Sequence, residues 1–212
     1  MTGPGRSALP IFPLEGALLF PGGSLPLHIF EPRYRAMVED ALNGDGLIGM
    51  IQPSGKDSRS LFDIGCVGRI IDCSELADGR YNIVLEGVAR FRVVRELEVT
   101  TPYRQVEAAW QEADLDEDRD LSISPIMRSA LETESRRFAD QHGYQVDWGA
   151  VRQLDDETFV HLVAQVAPFD PAAKQALLEA DSLTARADLL IQCMEFFRLF
   201  SVSGDDERVT LQ

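Results

Sequence analysis

IFPLEGALLFPGGSLPLHIFEPRYRAMV, residues Ile11 to Val38, dictates a turn, a strand and a helix in quick succession. Leu18, Leu19 and Phe20 form an apolar run that stops at Pro21-Gly22-Gly23, where proline lacks a backbone donor and glycine accepts positive φ. Leu25, Leu27 and Ile29 then alternate with Pro26, His28 and Phe30. That is the period of a strand, and Pro26 assigns it to an edge or a bulge because it cannot donate to a ladder. Glu31-Pro32 ends the strand. Proline at a first helical position costs no hydrogen bond, and Tyr34, Met37, Val38, Ala41 and Leu42 follow at the spacing of one apolar helix face. Gly44-Asp45-Gly46 closes the helix.

Working outward, Leu47 to Ile51 reads as a strand, and Pro53 to Ser60 as a polar loop. Gly65 to Cys73 is the next strand, and Ala77-Asp78-Gly79-Arg80 is a hairpin turn before Tyr81, Ile83 and Leu85. Gly87 is expected to break the chain ahead of Arg90 to Val94, and a last strand follows Pro102 and ends near Trp110. Short strands at this spacing with one early helix predict a small, mostly antiparallel sheet or partly open barrel over residues 1–111. The acidic run QEADLDEDRD places a solvated linker at 112–122. Beyond it, Ser124-Pro125, Asp147, Asp155, Asp170-Pro171 and Ser182 each open an amphipathic helix, so 123–202 reads as a helical bundle and 203–212 as a frayed tail. In the third of these helices Phe159, Leu162, Val163 and Val166 form a single apolar face, and Pro168 ends it.

The 212 residues, 45% of them hydrophobic, suffice for a sizeable core, and the formal charge is -15. Residues 1–110 carry 11 Lys and Arg against 14 Asp and Glu, whereas residues 111–212 carry 9 against 21. A field of that sign repels phosphate backbones and anionic lipid, which argues against nucleic acid and membrane as partners. The N-terminus has no apolar stretch of signal-peptide length, and no apolar run spans a bilayer, so a soluble, cytoplasmic protein is expected. Cys66, Cys73 and Cys193 are odd in number and sit among apolar neighbours, as reduced thiols do.

No reaction centre emerges. Gly55-Lys56-Asp57 lacks the register and the hydroxyl of a phosphate loop. Asp114, Asp116, Asp118 and Asp120 lack the glycine and the closing glutamate of a calcium loop. His28, His142 and His161 are too far apart for a readable zinc site, and no nucleophile motif is present. No cofactor, metal or catalytic residue is therefore assigned. Arg69, Arg90 and Arg92 are read as a basic stripe on the sheet, either an RNA-binding surface or a solvated face paired with Glu86, Glu96 and Glu98.

The blocks FPLEGALLFPGGSLPLHIFEPRYRAMV, IGCVGRI, DGRYNIVLEGVARFRV and PYRQVEA, with FVHLVAQVAPFDPAAKQALLEADSLTARADLLIQ after them, resemble the N-terminal domain of Lon-type ATP-dependent proteases. The resemblance covers roughly residues 9 to 200 and runs in the family's order. It implies an α+β fold, a PUA-like β subdomain followed by a helical bundle, and a role in recognising polypeptides and in assembly contacts. No ATPase or peptidase motif accompanies it, so a free-standing, non-catalytic module is expected. The leading expectation is a binder of exposed apolar segments of unfolded or partly folded client proteins, or of a partner protein, with Phe20, Pro21, Leu25, Phe30, Arg33 and Tyr34 as the candidate surface. The alternatives are RNA binding through the arginines, since PUA-like folds also serve that purpose, and an unrecognised hydrolase with a deep pocket.

Overall fold

The computed structural model describes residues 7–55, 60–116 and 119–203. The readings made at Lys56, Asp57 and Asp118, and over the tail from 204, lie outside the described residues. The strands are β1 (Ser7–Pro13), β2 (Ser24–Ile29), β3 (Leu47–Ile51), β4 (Ile64–Glu75), β5 (Tyr81–Glu96) and β6 (Gln105–Trp110). The helices are α1 (Pro32–Asn43), α2 (Pro125–Gln141), α3 (Trp148–Val151), α4 (Asp156–Val166), α5 (Pro171–Glu179) and α6 (Leu183–Ser203). The fold is α+β, and the described residues divide into two compact units.

The first unit holds the strands, α1 and also α5. Its sheet is mixed, in the order β2-β5-β4-β3-β1-β6, with β5 pairing β6 as well. β1 runs parallel to β3 and antiparallel to β6, and the remaining pairs are antiparallel. β2 pairs only with β5 and so lies at the edge, where Pro26 leaves no ladder bond unmade. Leu9, Ile11, Leu47, Ile51, Val67, Phe91, Val106 and Ala108 close the core. Tyr34, Met37, Val38 and Ala41 form the buried face of α1, at about 1.5–3 kcal/mol for each large side chain removed from water.

Three expectations are corrected here. β1 has no counterpart in the sequence reading, because Pro10 and Pro13 mask a strand whose partners are remote in sequence. Gly87 does not interrupt β5. It lies within β5 beside a register shift in the β4 ladder, and glycine is required there because a Cβ would stand 1.9 Å from the Phe20 carbonyl oxygen. The Pro21 turn is laced to that position, with Gly22 N–H donating to Gly87 O and Gly87 N–H to Gly23 O, both at 2.8 Å. Gly22 itself has φ 76°.

The third correction concerns α5, which was expected in the helical half and belongs to the strand-rich unit. Its Lys174 and Gln175 are buried beside Leu177 and Leu178. Lys174 Nζ donates to Gly16 O at 2.8 Å, and Gln175 Nε2 donates to Ile64 O at 3.0 Å. Gln52 Nε2 donates to Pro171 O and Gln175 Oε1, while its own Oε1 accepts from Gly16 N–H. Amphipathic spacing alone does not disclose such polar docking.

The second unit holds α2, α3, α4 and α6. Ser124 caps α2, Asp147 caps α3 and Asp155 caps α4, each side chain accepting from backbone N–H groups of the first turn. α6 packs on α2 and α4, burying Leu131, Phe138, Phe159, Val160, Ala187, Leu190 and Met194. Phe169 extends this core between Phe138 and Phe197, with ring centroids 5.9 and 5.2 Å away.

Candidate functional site

The structure divides the six residues of the expected interaction surface. Phe20, Pro21 and Tyr34 are buried, because the Pro21 turn folds onto β5 and Tyr34 packs on Phe12 at 4.2 Å between ring centroids. Leu25 is half-buried on the edge strand. Phe30 is 60% exposed, and Arg33 is exposed while paired with Glu31 at 2.8 Å and lying over the Tyr34 ring. Phe30 and Arg33 are thus the exposed members of the set.

The basic stripe is broken at its centre. Arg90 is 6% exposed, and its Nε and Nη2 donate to the two Asp114 carboxylate oxygens at 2.8 and 2.9 Å. Its Nη1 donates to Leu178 O. Asp114, expected on a solvated linker, lies in a 3-10 turn, Glu112–Leu115, and its side chain is buried. Burial pushes the Asp114 carboxyl up, but the hydrogen bonds and charge of Arg90 outweigh it and hold the carboxyl below its usual range. Arg69 and Arg92 remain exposed, the first donating to Asp45 O and the second 3.9 Å from Asp63. The carboxylates expected opposite the stripe are not the partners: Glu96, for example, pairs with Arg104.

The helical unit contains an apolar groove of 170 Å³ that includes none of the six residues of the expected surface. Phe138 and Ala139 of α2, Phe159, Leu162, Val163 and Val166 of α4, and Met194 of α6 form its walls. Tyr144, Val146, Trp148 and Val151 complete it from the segment between α2 and α4. The sequence signal was the uniform apolar face of α4. The structure buries Phe159 yet leaves Leu162 and Val166 exposed at 42% and 65%. That face is wider than its helical partners cover, and the uncovered part lines the groove.

The groove offers adhesion and little chemistry. Its one internal hydroxyl, on Ser135, donates to Met194 Sδ at 3.9 Å, and no histidine, lysine or carboxylate is among its lining residues. Of its other polar groups, the Tyr144 hydroxyl and Trp148 Nε1 have no hydrogen-bond partner among the described residues, and Arg136 stacks on the Trp148 ring at 4.4 Å. An apolar concavity with so few polar groups suits an apolar side chain whose backbone stays hydrated.

In the strand-rich unit, Pro13, Arg33, Tyr34, Pro102, Tyr103 and Arg104 line a second cavity of 180 Å³. Tyr103 donates to Asp40 at 2.6 Å. Burial first, and then the hydrogen bond and charge of Asp40, push its phenol up to about 12. Among the described residues, no cluster of His, Cys, Asp or Glu has the arrangement of a metal site, and no helix is long and apolar enough to cross a membrane.

Residues 8–195 match the profile of the ATP-dependent protease La (LON) substrate-binding domain. Lon protease 2 of Myxococcus xanthus is 36% identical over 100 residues, covering 45% of this chain and 12% of that protein. Lon protease of Cytophaga hutchinsonii is 24% identical over 196 residues, covering 89% of this chain and 24% of that protein. The chain spans a quarter or less of the length of these relatives. Among solved structures, a Lon N-terminal domain protein from Xanthomonas campestris superposes with a TM-score of 0.65 at 23% identity, covering 88% of this chain and 98% of that one. The N-terminal domain of Mycobacterium avium complex Lon protease does so with a TM-score of 0.63 at 16% identity, covering 89% of this chain and 98% of that one.

Proposed function

This chain belongs to the LON substrate-binding domain family, and from that premise we propose that it is a non-catalytic recognition module that captures exposed apolar segments of client polypeptides in the groove of its helical unit. The observation that carries the reading is the pairing of Leu162 and Val166, exposed on α4, with Tyr144 and Val146 across an otherwise apolar concavity. Exposed apolar groups gathered in one groove, rather than scattered singly, mark an interaction surface. Folded proteins keep such segments inside, so preference for unfolded chains follows from the apolar lining.

The test compares binding of a reduced, unfolded model protein with its folded, disulfide-intact form. The unfolded form should bind, and the Leu162→Glu variant should lose about tenfold or more in affinity while keeping its fold, since burying an unpaired carboxylate against apolar walls costs well over the equivalent 1.4 kcal/mol. Equal binding of folded and unfolded forms would contradict the reading. Phe30, exposed beside Arg33 in the strand-rich unit, supports a second reading in which that surface contacts the client. Phe30→Ala separates the two, because it should leave affinity unchanged if the groove alone is used.

A further inference from the structure

We infer that the preferred occupant of the groove is one bulky apolar or aromatic residue flanked by lysine or arginine in an extended segment. The inference rests on the groove being the capture site and adds the class of sequence it selects. At 170 Å³, the groove is smaller than the roughly 300 Å³ lower bound of pockets that bury whole small molecules. It therefore admits one large side chain rather than the face of a helix. The Tyr144 hydroxyl and Trp148 Nε1, which have no hydrogen-bond partner among the described residues, are available to the peptide groups of such a chain.

The flanks are set by charge. Residues 120–169 and 180–203 of the helical unit carry eleven Asp and Glu against six Arg. Most of the positive charge is already engaged: Arg128 pairs with Glu132 and Asp156, and Arg137 and Arg198 both pair with Glu134. Arg186 is buried against His161 at 2.9 Å, and Arg136 lies over Trp148. By contrast, Asp140, Asp147 and Glu195 are exposed and form no ion pair among the described residues. Each adjoins a groove residue on a different segment: Asp140 follows Ala139 in α2, Asp147 lies between Val146 and Trp148, and Glu195 follows Met194 in α6. Arg152, next to Val151, is the one exposed arginine adjoining the groove that forms no ion pair among the described residues. Exposed, unpaired carboxylates next in sequence to groove residues on three segments attract basic flanks and repel acidic ones.

The experiment uses three fluorescent peptides with the same central phenylalanine and flanks of lysine, serine or glutamate, titrated by anisotropy against the whole chain. At about 50 mM salt the lysine peptide should bind about 3–10-fold tighter than the serine peptide, and the glutamate peptide more weakly than either. At about 0.5 M salt the spread should collapse, because exposed charges are screened. Asp140→Asn with Glu195→Gln, neither carboxylate being a helix cap, should shrink the lysine advantage without weakening the serine peptide. Equal affinities for all three peptides would overturn the charge inference and leave the apolar reading standing. Binding by none would overturn both, and a lysine advantage unchanged in the double variant would overturn the assignment to these carboxylates.

Discussion

The Pro21 turn and the α4 groove are both dense in apolar residues, and they differ in what those residues already touch. Around the turn, Leu18, Leu19 and Phe20 are buried, and the backbone is laced to Gly87 by two hydrogen bonds. Along α4, Leu162 and Val166 face solvent beside Tyr144 and Val146. The first region has no free apolar surface left to offer, whereas the second retains it. The distinctive turn therefore reports the scaffold, and a plain amphipathic helix carries exposed apolar surface.

The sharpest way to break this contrast is Gly87→Val. Its Cβ would collide with the Phe20 carbonyl, a backbone atom that cannot move aside, so a loss above about 4 kcal/mol is expected in chemical denaturation. Client affinity of whatever protein remains folded should be unchanged. Next in size, Arg90→Met leaves the Asp114 carboxylate buried without its partner and should cost about 3–5 kcal/mol. If Arg90 instead belonged to a working basic surface, its removal would alter binding more than stability.

In the groove the pattern should reverse. Leu162→Glu combined with Val166→Glu should lower affinity for unfolded protein by about ten- to a hundredfold, with stability changed by less than about 1 kcal/mol because both sites are exposed. A large stability loss would show that α4 is structural there, as the Pro21 turn is.

The smallest effects are titrations confined to the strand-rich unit. The Asp114 carboxyl is depressed on folding, so its contribution is present above its ordinary value of 3.8 and is lost as pH falls below that. Arg90→Met should remove this acid-sensitive component from a stability profile. Tyr103 is raised to about 12, so its contribution is complete below its ordinary value of 10.0 and fades as pH climbs toward about 12. Tyr103→Phe should flatten that alkaline limb.

Much of the fold was legible because its signals are local. Pro32 at a helix start, Gly79 at a hairpin and Asp155 at a cap each act within a few residues. β1 and α5 were not legible in this way, since their partners lie far off in sequence: Ile11 pairs with Gly49, and Lys174 reaches Gly16. The candidate site was legible only by halves. The α4 face could be read from its spacing, but whether Leu162 and Val166 are covered depends on where α2 and α6 end, which periodicity does not encode. Arg90 misled for a related reason, because its partner Asp114 sits in what looked like a solvated acidic run.

Trp148 lines the groove, which makes its fluorescence the most direct probe of the central claim. In a Trp110→Phe background it is the sole tryptophan. Titration with a reduced, unfolded, tryptophan-free protein should shift its emission to shorter wavelength, with a midpoint equal to that of binding followed by anisotropy of the labelled client. Saturated binding with no change in Trp148 emission would contradict the account, because the client would then be held somewhere other than the groove.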